Sequence, residues 1–246
     1  MSTPASPSGV LQNSAHPADH APYLLRLEAR LPPLLSVIAG MVDLIGFFTL
    51  GHIFTAHVTG NLVVVAAAAV HAGPFNIAQA LAIPVFMLAL ALVWLIAQAS
   101  HRRGPSLAWL LLLVQFLLLA AVLIFSIIAR PSADTQGLTA GIAAMIAVSA
   151  MACQYALLRL AIPGAISTAV MTGNLTNAVL AIMDLMSKGR PLMPVDADRL
   201  KRSLQLLFGF LFGCVVAAYA VFVVEDWAWL LPVVLSAVAI RLCSAS

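Results

Sequence analysis

Charge is what this chain has least of. Only 9% of its 246 residues are Asp, Glu, Lys or Arg, whereas 63% are hydrophobic and the mean hydropathy is +1.05. Soluble domains carry roughly 25% charged residues. A chain this poor in charge cannot cover a globule with water-compatible surface, so most of it faces lipid or other apolar helices. Cysteine is nearly as scarce. Cys153, Cys214 and Cys243 each lie in or beside an apolar run, at no disulfide-framework or metal-ligand spacing. There is no His-Glu-x-x-His, no Gly-x-Ser-x-Gly elbow and no phosphate-binding glycine loop. No enzyme is expected, and no metal or cofactor is implied. The twelve Lys and Arg gather at the ends of apolar runs and form no groove-sized patch, which argues against nucleic acid. Residues 1–31 lack an apolar stretch ending in a small-residue cleavage site. They are expected to be a disordered cytoplasmic tail, with the first membrane helix acting as an uncleaved insertion signal.

What the chain has in abundance is apolar runs, at about 32–50, 56–72, 77–100, 106–129, 138–160, 166–186, 203–224 and 227–241. A spanning helix needs about 20 such residues. Most of these runs are long enough, and the expectation is an all-α polytopic membrane protein. Within it, Ile53-Phe-Thr-Ala-His-Val-Thr-Gly-Asn-Leu62 recurs 113 residues later as Ile166-Ser-Thr-Ala-Val-Met-Thr-Gly-Asn-Leu175, with seven of ten positions identical. Aliphatic matches mean little in so apolar a chain, but two Thr-Gly-Asn triplets in one register do not arise cheaply. The chain therefore divides into two related halves, 32–130 and 131–246, each built around one triplet.

The two runs that begin with the triplet, 56–72 and 166–186, could span the bilayer or re-enter it. Positive residues favour the cytoplasmic side of short loops, and this rule separates the two arrangements. With eight full spans and the N-terminus inside, Arg102, Arg103 and Arg159 fall outside, and nine of the twelve cations are inside. With six spans and two re-entrant segments, Arg26, Arg30, Arg102, Arg103, Arg159, Lys188, Arg190, Arg199, Lys201, Arg202 and Arg241 are inside, and only Arg130 is outside. Six spans fit the rule better. Three spans per half would make the repeat inverted, a plan common among transporters.

The chemistry of the triplet supports a break in the helix. Irregular backbone inside a bilayer is tolerated only beside protein or a water-filled cavity. Gly51-His52 precedes the first copy and Pro163-Gly164 the second, both helix-interrupting pairs. Thr59 and Thr172 are expected to cap the following helices, Gly60 and Gly173 to allow close backbone approach, and Asn61 and Asn174 to present amides to a shared cavity. Free N–H groups at a helix start favour a small polar or anionic solute.

At these residues the chain resembles a known family. Gly40-Met-Val-Asp43, Leu50-Gly51, Phe54 and Thr59-Gly-Asn61 are similar to the first signature of the YoaK-like bacterial membrane proteins, a domain-of-unknown-function family. Gln154, Ala156-Leu-Leu-Arg159 and Thr172-Gly173 resemble its second signature. Asn174 stands where Thr is more usual, and Pro163 interrupts the preceding link. The resemblance runs from about residue 30 to about residue 240. It implies an integral inner-membrane protein and supplies no substrate.

Ionisable groups at membrane depth are costly and point to function. Asp43 lies mid-run in the first helix, and Arg159 near the end of the corresponding helix, with Gln154 just before it. A repeat axis that brought those helices together would pair Asp43 with Arg159. His57 and His52 flank the first triplet, and His71 and Asp184 follow the two Asn residues at equal spacing. Asn177 continues the polar face of Asn174. Gly209, Gly213 and Ala217 form a small-residue ridge for packing within the bundle or across a homodimer. Trp94, Trp109, Trp227 and Trp229 are expected at the interfaces. These features point to a small-solute carrier whose polar site uses Thr59, Gly60, Asn61, Thr172, Gly173, Asn174, Asp43, Arg159, Gln154 and His57. The alternative is a structural or regulatory membrane subunit.

Overall fold

The structure is a computed structural model, and it describes residues 21–71, 76–186 and 197–245. Eight α-helices account for most of them: α1 (Ala21–Thr49), α2 (Gly60–His71), α3 (Ile77–Ala99), α4 (Gly104–Ala129), α5 (Leu138–Leu160), α6 (Met171–Met186), α7 (Ala197–Val224) and α8 (Leu230–Ala245). The helical boundaries follow the apolar runs closely, because within a bilayer a helix satisfies its own backbone. α1 departs from expectation by starting at Ala21, well before residue 32, and by carrying Pro32 and Pro33 inside it. The rest of the expected tail, residues 1–20, lies outside the described residues.

Among the described residues, five stretches are long and apolar enough to cross a membrane: Arg26–Thr49, Ile77–Ala99, Gly104–Ala129, Leu138–Leu160 and Leu200–Ser244. The last holds both α7 and α8, separated by a 3-10 turn at Glu225–Trp229. Burial separates the centre from the periphery. Two-thirds of the α1 and α5 windows are buried, against 22% for α3. α1 and α5 therefore form the core, and α3 turns apolar side chains such as Leu88, Leu92 and Leu95 outward.

Small residues allow α1 and α7 to run side by side in the same direction. A Cβ on Gly40 would collide with the Phe210 carbonyl, and one on Gly213 with the Val37 carbonyl. Gly209 also faces α1, at Pro33, and Ala217 is fully buried. The ridge expected on α7 is thus used within the chain. Ser36 Oγ adds a 2.6 Å hydrogen bond to the Leu206 carbonyl. Across the core, Gln115 Nε2 donates to Gln154 Oε1 at 2.9 Å, and Gln154 Nε2 donates to the Leu35 carbonyl at 3.0 Å, tying α4, α5 and α1 together.

Contacts at the helix ends fix which connections lie together. At one end, the Gly51 carbonyl accepts from Asn76 Nδ2 and Gln79 Nε2 at the start of α3, each at 3.3 Å, and Gly51 also abuts Thr135 before α5. Ser132 donates to Asp226 at 2.6 Å, which places the α7–α8 turn at the same end. At the other end Gly164 abuts Glu28 of α1, and Cys243 of α8 approaches the Pro105 carbonyl of α4. The packing partners exchange in pairs: α1 lies along α7 and α5 along α3, α4 on α5 and α8 on α1, α2 on α3 and α6 on α7. Trp94 and Trp227 are exposed, as an interfacial belt requires, but Trp229 is fully buried beneath the turn.

The glycine contacts lead to a stability comparison. Gly213→Val is expected to lower the thermal unfolding midpoint of the purified protein sharply, because the displaced atoms are α1 backbone. Gly141→Ala, whose added Cβ would meet only Ala78 Cβ at 3.6 Å, is expected to leave the midpoint nearly unchanged.

Candidate functional site

Asp43 sits on α1 with 5% of its surface exposed. It lies six residues before the helix ends, about 9 Å deep at 1.5 Å per residue. The chain leaves α1 at Gly51, a glycine with φ of +84°, and then folds back towards this carboxylate. Three successive backbone N–H groups converge on Asp43 Oδ1, from Thr55 at 2.8 Å, Ala56 at 2.6 Å and His57 at 3.3 Å. The Thr55 hydroxyl adds a longer contact at 3.4 Å. An Asp at mid-helix costs about 3 kcal/mol on insertion scales, and hydrogen bonds to a charged group contribute about 1.5–3 kcal/mol each. Such a nest of N–H groups therefore offsets the burial of the carboxylate.

The second carboxylate oxygen meets His57 Nδ1 at 2.6 Å. The imidazole packs edge-on against Phe210 of α7, and its Nε2 is buried without a hydrogen-bond partner. With Nδ1–H donating to Asp43, Nε2 carries a bare lone pair. From α5, the Tyr155 hydroxyl donates to the Ala56 carbonyl at 2.9 Å and holds the loop from the opposite side. Nothing in the local sequence pattern marks Tyr155. Only the packing of α5 beside the loop gives it a role.

Asn61 closes the loop. Its Oδ1 accepts from Phe54 N at 3.0 Å and its Nδ2 donates to the Phe54 carbonyl at 2.7 Å, and the residue is fully buried. The amide pairs with a backbone segment on both sides. Gly60 is required here because a Cβ would press on the Phe54 ring at 2.9 Å. Thr59 is exposed, and α2 starts instead with short-range backbone bonds such as Gly60 N to the His57 carbonyl.

The second copy keeps part of this design. Asn174 Nδ2 donates to the Ser167 carbonyl at 3.0 Å, and Ser167 stands 113 positions after Phe54, so the bond is the counterpart of that made by Asn61. The counterpart of Asp43 is Ala156, and that of His57 is Val170. Among the described residues no carboxylate hydrogen-bonds the second loop, and the Thr168 hydroxyl, which matches Thr55, is buried without a partner. This loop is more open: Pro163, Gly164 and Ser167 are exposed. Thr172 is exposed inside α6, where its carbonyl accepts from Thr176, and does not cap the helix. Gly173 packs against Val170.

Other expected partnerships fall differently. Arg159 is exposed and forms no ion pair among the described residues, so the expected Asp43–Arg159 pair is replaced by Asp43–His57. The two helices run in opposite directions and place those residues on different contacts. Gln154 serves the α4–α5–α1 bridge. His52 is exposed, with φ of 60°. Asp184 is half-buried in α6, and the side chain of His71 lies outside the described residues. The two bends, expected to converge on one chamber, begin at opposite ends of the bundle. A pocket of about 500 Å³ takes Asn174, Asn177, Ser167 and Arg202 from the second half and no residue of the first loop.

An all-helical bundle with apolar outer faces and a carboxylate held in an interior nest defines an integral membrane protein. The comparisons give its family. Residues 31–242 match the family described as "Protein of unknown function (DUF1275)", and the chain belongs to it. It is similar to the UPF0700 transmembrane protein YoaK of Bacillus subtilis (strain 168), with 60% identity over 30 residues, 12% of this chain and 13% of that protein. The match thus spans about an eighth of the curated relative. No solved structure matches the chain.

The two Asn residues are expected to differ in a measurable way. Asn61→Ala strips both partners from Phe54 and should destabilise the fold by roughly 2 kcal/mol, whereas Asn174→Ala removes one hydrogen bond and should cost about 1 kcal/mol. Unfolding of the two variants in mixed detergent micelles provides the measurement.

Proposed function

We propose that the chain is a carrier of the bacterial inner membrane that moves a small polar or anionic solute together with a proton. The observation that carries this is the buried imidazole nitrogen. His57 Nε2 has no partner, while Nδ1 is held by Asp43. A proton arriving at Nε2 converts a neutral imidazole beside a carboxylate into an imidazolium–carboxylate ion pair. The ring touches α7 through Phe210, so a change of charge acts on an interhelical contact.

In this reading, six helices span the membrane, and the two Thr-Gly-Asn segments with α2 and α6 re-enter from opposite faces. The meeting of Gly51 with Asn76 supports re-entry, since the loop and α2 leave and return at one end. The exchange of packing partners between the halves supports an inverted repeat of three spans each. Asn61 becomes a structural closure, and the solute-facing amides are those of Asn174 and Asn177. A subunit without transport accounts for the sealed amide of Asn61 but gives the imidazole and the open second-half pocket no task.

Two experiments test the reading. In liposomes with an enclosed pH dye, wild-type protein should couple proton entry to one member of a panel of small carboxylates, amino acids and inorganic anions. Asp43→Asn and His57→Ala should uncouple or abolish that flux in folded protein. No proton-linked flux across the panel from folded wild type would defeat the carrier. For the topology, single cysteines at 102 and 103 should react with impermeant reagent only from the cytoplasmic side, and one at 132 only from outside. The reverse pattern would refute six spans.

A further inference from the structure

The geometry points to an oxyanion site in the pocket beside α6. This narrows the ligand class in the second half, where the preceding section assigns only the amides of Asn174 and Asn177 to a polar or anionic solute. Its role as a cargo site rests on the carrier reading, but binding at the site does not.

The argument begins with what lines the cavity. Ser167, Asn174, Asn177 and Arg202 supply its polar walls, and Gly164 and Gly173 leave room between them. Every one of these side chains can donate. Arg202 is half-buried and forms no ion pair among the described residues. A guanidinium offers five N–H donors in a planar fork suited to carboxylate or phosphate. Ser167 Oγ accepts from Ala169 N at 3.2 Å, which leaves its own proton for a ligand. Asn174 spends one amide hydrogen on the Ser167 carbonyl and keeps the other. Asn177 is half-buried, one turn further along the same face. No carboxylate is among the lining residues; Glu28 packs on Gly164 at the rim.

A cation placed here would meet an unpaired Arg and several outward N–H groups. An apolar ligand would leave the same donors without partners. A small oxyanion satisfies them all, and about 500 Å³ accommodates one. The first half lacks the means to build a second such site. Asn177 corresponds there to Val64, and the loop is filled by the Asp43 nest. The occupant is either a soluble carboxylate or phosphate, or the phosphate of a lipid headgroup, because Arg202 and Gly164 lie at the end of the bundle where α7 begins.

Purified protein in nanodiscs of phosphatidylcholine, titrated with inorganic phosphate or succinate at constant ionic strength, tests this by thermal unfolding. Wild type should be stabilised saturably by at least one of the two anions. Asn177→Ala should weaken that binding by about tenfold or more, in line with a lost hydrogen bond to a charged group. Arg202→Gln should abolish it, and Glu28→Gln should tighten it. If Arg202→Gln does not fold, Arg202→Lys should retain weakened binding and replaces it. Stabilisation seen only with phosphatidylglycerol in the nanodisc, and lost in the Arg202 variant, would identify the occupant as a lipid headgroup and keep the oxyanion assignment. An effect equal in wild type and the Arg202 variant, or none from either anion or the anionic lipid, would overturn it. Saturable anion binding without flux would leave this site standing and remove the carrier instead.

Discussion

A single carboxylate organises the first half of this protein. Asp43 is the point on which the backbone of Thr55, Ala56 and His57 converges. Irregular chain inside an apolar bundle exposes N–H groups that lipid cannot satisfy. A buried carboxylate has the opposite need, since it requires several donors to remain charged away from water. Each defect is the remedy for the other: the loop N–H groups find an acceptor in Asp43, and the buried carboxylate finds its donors in the loop. The tight turn at Gly51, the Asn61 clasp on Phe54 and the Tyr155 strut serve to keep the two together.

The second half shows what happens when that anchor is absent. Ala156 replaces the carboxylate, Thr168 keeps a hydroxyl with nothing to bond, and only the Asn174 clasp on Ser167 survives. The loop is correspondingly more open, and Asn177 and Arg202 border the space it leaves. Two copies of one segment have thus taken different tasks. One closes over the Asp43–His57 pair, and the other lines a polar pocket. The halves differ at Asp43 against Ala156 on the preceding helix and, within the repeated ten residues, at His57 against Val170.

The helices themselves were plain in the sequence. Apolar length and the interrupting Gly51-His52 and Pro163-Gly164 pairs placed eight elements close to where they lie, since a chain with this little charge has few other ways to satisfy its backbone in lipid. The small-residue ridge at Gly209 and Gly213 was equally legible, and it proved to meet α1 of the same chain. The start of α1 was missed because Glu28 and the Arg residues around it resemble a solvated tail. Trp229 was misplaced because position near a helix end does not distinguish an interfacial ring from one buried beneath a turn.

The sequence by itself determined the membrane class, the family, the duplicated segment and the candidacy of Asp43, Asn61, Asn174 and His57, all properties of composition and local pattern. Tertiary structure alone decided who meets whom: Asp43 with His57 in place of Arg159, Asn61 with backbone in place of a cavity, Tyr155 with the loop, and Arg202 with the second pocket. The reason is geometric. A residue's depth in the bilayer follows from its place along a helix, but its neighbours depend on the direction and rotation of other helices, and those are set by contacts between residues far apart in the chain.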